Sequence, residues 1–142
     1  MLNLVQQLIW TDAMATDIAM VDEQHQELLG IFNRVALAQA QNTAHKTVIA
    51  LLDELVAYTR YHFREEEKLM LKWSVDSTHR VMHLRAHESF RVFLQQAHRA
   101  LRDQATERWD DVRVEVLAFL AQWLLHHIME VDQQMARHIR AG

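Results

Sequence analysis

Not one proline interrupts the 142 residues of this chain, and glycine occurs only at Gly30 and at the terminal Gly142. Proline breaks a helix by removing a backbone donor and clashing with the preceding turn, and glycine raises the entropic cost of forming one. With so few breakers and abundant Ala, Leu, Gln, Glu and Arg, the chain is expected to be all-α. Short polar stretches divide it: Gln39 to Thr43, Trp73 to Thr78 and Asp103 to Thr106 each interrupt the apolar periodicity. They predict helices over about 22–40, 44–72, 77–103 and 107–139, after an N-terminal arm over 1–20. Connections this short join antiparallel neighbours. The expected fold is an antiparallel up-down-up-down four-helix bundle with an N-terminal arm, a single domain over 1–142. Asp22 is a candidate cap or first-turn acid for the first helix, Thr43 a cap for the second, Asp76 or Ser77 for the third and Thr106 for the last. Trp10 reads as an aromatic plug that holds the arm on the bundle.

Each predicted helix carries an apolar seam at alternating three- and four-residue steps, the spacing that faces a bundle core. In the second helix the seam runs Val48, Leu52, Leu55, Thr59, His62, Glu66, Leu69, so a histidine and an acid occupy positions where apolar residues belong. The first helix repeats the anomaly with Val21, His25, Leu28, Phe32, Val35, and the third with His83, His87, Phe90, Leu94, Ala97, Leu101. His79 extends the four-residue spacing upstream, so the third-helix pair could be His79 and His83, although Phe90 and Leu94 continue in phase from His83 and His87. The last helix offers Val112, Val116, Leu120, Trp123, His127 and Val131. Asp132 lies five residues beyond His127, about 140° round a regular helix. A carboxylate reaching sideways between two ions, or a local distortion of the helix, is required to bring it to the same place.

A buried charge is costly unless something compensates it, and a metal ion does so. His25, His62, Glu66, His83, His87, His127 and Asp132 draw on all four helices. With no cysteine in the chain, this imidazole and carboxylate set suits iron, copper or zinc. Two carboxylates among seven ligands suggest two bridged metals. Five imidazoles, two bridging carboxylates and one oxo or hydroxo bridge leave a single position open on two six-coordinate irons. The acid-rich di-iron oxygenases use Glu-x-x-His pairs on two helices, and no such pair lies in phase with the seams here.

Four segments carry a resemblance to a known family: Val21-Asp22-Glu23-Gln24-His25, His62-Phe63-Arg64-Glu65-Glu66-Glu67, His83-Leu84-Arg85-Ala86-His87-Glu88 and His127-Ile128-Met129-Glu130-Val131-Asp132. With Trp10 and Ile18, they resemble hemerythrin in its bacterial form over about 10–135. The resemblance implies that His83, His87 and His127 hold one iron and His25 and His62 the other, with Glu66 and Asp132 bridging. It implies two iron ions cycling between Fe2+ and Fe3+ with an oxo or hydroxo bridge, and O2 as the reversible ligand of the two-histidine iron. Two positions depart from the family pattern. Asp17 stands where glycine is frequent, and Trp73-Ser74 replaces a frequent glycine turn. Both bear on loop geometry rather than on ligands.

Function classes narrow accordingly. The net charge of −4, with acids and bases interspersed, offers no basic stripe for nucleic acid. No uninterrupted apolar run approaches a membrane span, the start makes a poor signal peptide, and the cytoplasm is the expected compartment. The expected role is a non-enzymatic O2 carrier or store, delivering O2 to a consuming enzyme. The alternative is an O2 or redox sensor acting on a signalling output domain or partner, and a di-iron peroxidase or oxidase is a third. Among the remaining histidines, His45, His98 and His138 read as solvated, and His126 points away from the seam. Glu65 and Glu67 read as solvated or as outer partners of a ligand, and Trp123 and Leu124 as core residues that also wall the site.

Overall fold

A computed structural model describes residues 7–41, 43–102 and 109–141, without the side chains of 102 and 109–111. Four long helical stretches follow the arm: α1 (Ala19–Ala40), α2 (His45–Lys72), α3 (Ser77–Arg102), and a last stretch of α4 (Trp109–His126), a π-turn (His127–Val131) and α5 (Asp132–Ala141). No strand occurs among the described residues, and the fold is an all-α four-helix bundle. The antiparallel sense shows in the side-chain pairs. Arg34 and Gln24 of α1 meet Glu54 and His62 of α2, and Glu67 and Asp53 of α2 meet His87 and His98 of α3. Phe93 and Phe90 of α3 likewise meet Phe119 and Trp123 of α4.

The seams predict the core closely. Val21, His25, Leu28, Phe32 and Val35 of α1 are buried, as are Val48, Leu52, Leu55, Thr59, His62 and Glu66 of α2. All six predicted seam residues of α3, from His83 to Leu101, are buried too. The apolar core is not continuous. A large cluster including Leu28, Phe32, Leu55, Phe63, Phe90, Leu120 and Ile128 fills one end, and Val21, Met70, Val75, Met135 and Ile139 form a small one at the other. On every helix the anomalous polar residues fall between the two clusters.

The helix ends correct part of the sequence reading. α1 begins at Ala19 rather than at 22, and Asp22 is a first-turn acid, not a cap. Its Oδ1 accepts from the Thr16 backbone N–H at 2.9 Å and from Thr16 Oγ1 at 2.7 Å, tying the arm to the helix. Thr43 does not cap α2, whose N-cap is Ala44 with no side-chain bond. Asp76 does cap α3: its Oδ2 accepts from the N–H groups of Thr78 and His79 at 3.1 and 3.3 Å. The whole break from Asp103 to Thr106 and arm residues 1–6 lie outside the described residues. Among its described residues the arm contains one 3-10 turn, Asp12–Met14, and Trp10 packs on the large cluster as a plug. Gln133 Nε2 donates to the carbonyls of Met14 and Ala15 at 3.1 and 3.0 Å, fastening the arm to α5.

One stretch, Val112–Ala141, is long and apolar enough by composition to cross a membrane. In the fold its Leu117, Leu120, Leu124 and Ile128 are core residues of the bundle, which accounts for that composition.

Candidate metal centre

The polar layer contains all seven residues singled out by the sequence, each at most 3% exposed. The ligand-type atoms of Glu66, His83, His87 and His127 lie within 4.8 Å of one another, and so do those of His25, His62, Glu66 and Asp132. Glu66 belongs to both groups. Its Oε2 faces His62 Nε2 at 3.1 Å and His25 Nε2 at 3.3 Å. Its Oε1 faces His87, His83 and His127 Nε2 at 3.1, 3.4 and 3.8 Å. Asp132 repeats the division, with Oδ2 at 2.8 Å from His25 Nε2 and Oδ1 at 3.1 and 3.2 Å from His83 and His127 Nε2. Glu66 therefore turns one oxygen to His25 and His62 and the other toward His83, His87 and His127, while Asp132 turns one to His25 and the other to His83 and His127.

The π-turn explains how Asp132 gets there. Its backbone N–H donates to the carbonyl of His127, five residues back, so the helix is one residue wider at this turn. That is the local distortion the five-residue spacing demanded.

The donor geometry fits a cation. Both oxygens of Asp132 are fully buried and accept no hydrogen bond, although imidazole nitrogens stand 2.8–3.2 Å away. His62 Nε2 is likewise without a hydrogen bond. His127 Nε2 stands 3.2 Å from His83 Nε2 and 3.1 Å from His87 Nε2. Lone pairs so close repel unless a proton or a metal ion lies among them. These atoms converge on common points rather than pairing with one another, as ligand atoms do.

The electrostatics carry the same message. Burial opposes charge on His25, yet Asp132 and Glu66 raise its pKa to about 10. His83 is likewise raised to about 9, against burial, by the adjacent Asp132 and Glu66 carboxylates, and His127 is raised for the same reason. Burial pushes both carboxyls up, but the surrounding imidazoles hold Glu66 and Asp132 well below the usual carboxylate range. Without metal, protons hold the layer together, and metal cations take their place.

Outer contacts orient the rings, because the proton on the outer nitrogen decides which lone pair faces inward. His62 Nδ1 donates to Gln24 Oε1 at 2.7 Å, and His87 Nδ1 to Glu67 Oε2 at 2.8 Å. Glu67 also accepts from Arg91 at 2.9 Å. The sequence offered Glu67 as one candidate outer partner but missed Gln24 and Arg91. Their signal lies in helical spacing, since Gln24 precedes the ligand-type His25 and Arg91 follows His87 by one turn. Phe63 stacks on His87 at 3.8 Å between centroids and Trp123 on His127 at 4.4 Å.

Histidines outside the layer divide differently from expectation. His45 is not simply solvated. Its Nε2 lies 3.1 Å from the Leu101 carbonyl, and Arg113 Nη1 donates to its Nδ1 at 2.6 Å. His98 pairs with Asp53. His126 and His138 are exposed. His79 is buried, but its Nε2 meets the outer nitrogen of His83 at 3.0 Å and does not enter the layer.

The comparisons with known proteins agree with this geometry. Residues 16–139 match the family model of the hemerythrin HHE cation binding domain. The chain is 33% identical over 135 residues to a bacteriohemerythrin of Stenotrophomonas maltophilia, covering 94% of this chain and 82% of the relative. It is also 33% identical over 130 residues to a bacteriohemerythrin of Pseudomonas aeruginosa, covering 88% and 76%. A Clostridium acetobutylicum bacteriohemerythrin is 23% identical over 134 residues, covering 89% and 96%. The chain belongs to the hemerythrin family, a membership that supports a di-iron, oxygen-binding protein.

Proposed function

We propose that this protein binds O2 reversibly, without turnover, at a carboxylate-bridged non-heme di-iron centre and acts as an O2 carrier or store. His83, His87 and His127 would hold one iron and His25 and His62 the other, with Glu66 and Asp132 placed to serve both and an oxo or hydroxo group completing the centre. The observation that carries this reading is the split of both carboxylates, one oxygen toward each histidine group. The unequal division of histidines leaves the His25 and His62 side one nitrogen poorer, and this is where a small ligand finds room.

When bound, the irons supply the open position and the electrons that O2 takes up and gives back. The chain does the rest. Gln24 and Glu67 keep the inner nitrogens of His62 and His87 unprotonated and aimed inward. Phe63 and Trp123 pack against two of the rings and, with the apolar clusters on both sides, keep water from the layer. A dry site suppresses proton leakage and hydrolytic side reactions, so binding is favoured over oxidation.

The test is oxygen cycling. Anaerobically reduced, iron-loaded protein should change its visible spectrum on exposure to O2 and recover the reduced spectrum under vacuum over repeated cycles. Irreversible oxidation within seconds would favour the sensor reading. Peroxide turnover far above that of free iron would favour an enzyme.

A further inference from the structure

The outer nitrogens of four of the five inward-facing histidines have unequal surroundings. His62 meets an amide, His87 a carboxylate, and His25 Nδ1 has no hydrogen-bond partner. His83 meets another imidazole: its Nδ1 lies 3.0 Å from His79 Nε2. We propose that His79 is a positioning residue for the metal centre, a neutral imidazole that accepts the Nδ1 proton of His83 and so aims the His83 Nε2 lone pair at the metal. This rests on the reading of the polar layer as a metal site.

The assignment follows from proton accounting. His83 Nε2 lies 3.1 Å from Asp132 Oδ1 and 3.4 Å from Glu66 Oε1, at the centre of the layer. A nitrogen that binds metal must present its lone pair there, so the single ring proton resides on Nδ1. Nδ1 faces His79 Nε2, which must therefore be unprotonated. His79 is itself buried, at 5% exposed, which holds its ring against His83. Its backbone is fixed as well, because Asp76 Oδ2 accepts the His79 N–H at 3.3 Å in the first turn of α3. The rings of His79 and His83 are nearly perpendicular, at 80°, with centroids 5.1 Å apart, so the contact is edge-on rather than a stack.

The experiment is 15N NMR of the imidazole nitrogens in Zn2+-loaded protein, zinc serving as a diamagnetic probe. In the wild type, His83 Nε2 should carry the shift of a metal-bound nitrogen and Nδ1 that of a protonated one, with a scalar coupling across the hydrogen bond to His79 Nε2. His79→Leu should abolish the coupling, speed exchange of the His83 Nδ1 proton with solvent, and weaken Zn2+ binding about 10- to 100-fold. His79→Gln, which restores an acceptor of the kind Gln24 provides for His62, should recover most of the affinity. The wild-type coupling needs no variant and stands even if His79→Leu fails to fold. Zinc bound with a protonated His79 Nε2, or a His79→Leu affinity equal to wild type, overturns the assignment and leaves the metal centre intact. A wild type in which Zn2+ moves no imidazole resonance overturns both.

Discussion

Asp132 follows His127 by five residues, yet its Oδ1 lies 3.2 Å from His127 Nε2. A regular helix would carry the two about 140° apart. The π-turn over His127–Val131 removes that discrepancy and delivers both side chains to the same layer. A wide turn sacrifices regular hydrogen bonding, and such turns concentrate at functional sites.

Glu65, Glu66 and Glu67 are adjacent in sequence but occupy three environments. Glu66 is fully buried between the two histidine groups, Glu67 braces His87, and Glu65 pairs with exposed Lys68. Glu66→Ala should therefore abolish binding of the second iron, as iron analysis of anaerobically loaded protein will show. Glu67→Gln should weaken iron binding about 10-fold through His87, and Glu65→Gln should leave it unchanged. Equal effects of all three would contradict a bridging role confined to Glu66.

Metal loading should release protons. His25 and His83, raised to about 10 and about 9, are protonated at neutral pH in the metal-free fold and must lose those protons to bind a cation. Calorimetric titrations with Zn2+ in buffers of different ionisation enthalpy should show the release, with affinity rising from pH 6 toward 9. The same shifts set the stability of the metal-free protein. The raised histidines contribute fully below their unfolded value near 6.5, and that contribution disappears as pH rises through 9 to 10. The depressed carboxyls of Glu66 and Asp132 contribute above about 4 and lose that contribution as pH falls. Metal-free protein should thus melt highest between about pH 4 and 6.5, and a melting temperature still climbing from pH 8 to pH 10 would contradict this.

Three substitutions should stabilise the fold without touching the centre. Gly30 sits inside α1 with nothing within 4 Å of an added Cβ, so Gly30→Ala should gain about 0.5–1 kcal/mol. Ser74 has φ 50°, a left-handed conformation that disfavours any side chain, and Ser74→Gly should gain about 1 kcal/mol. Asp17, at φ 63°, should gain less on the same change because Asp tolerates that region better than most residues. Thermal melts and iron content check both halves of the expectation.

Asp22 is one of the ties that hold the arm to the bundle. Because its Oδ1 accepts from both the backbone and the hydroxyl of Thr16, Asp22→Ala should cost about 1.5–3 kcal/mol. Proteolysis within 7–18 should accelerate while iron content stays near wild type. Loss of iron in that variant would show that the arm shapes the centre.

Much of this was legible in the sequence because a bundle core has a period, and a polar residue in phase with it is conspicuous. His25, His62, Glu66, His83, His87 and His127 all declared themselves this way. Asp132 did not, since a π-turn breaks the period and leaves no mark in composition. Asp17 and Ser74 were visible as departures from a glycine pattern, and the structure shows them as the positive-φ non-glycine residues among those described. The caps were read less well. Thr43 is a good cap residue by type, yet the chain enters α2 through Ala44, whereas Asp22 is the first-turn acid that was its other expected role. His45 and His98 escaped because their partners, Leu101, Arg113 and Asp53, are distant in sequence and only the fold brings them near.

An anaerobic titration of metal-free protein with Fe2+ tests the central claim most directly. Two irons tied by Glu66 and Asp132 predict an end point at two Fe2+ per chain, with both sites filling in a narrow range and magnetic coupling between the ions. An end point at one Fe2+ per chain, or two ions without coupling, would contradict a bridged di-iron centre.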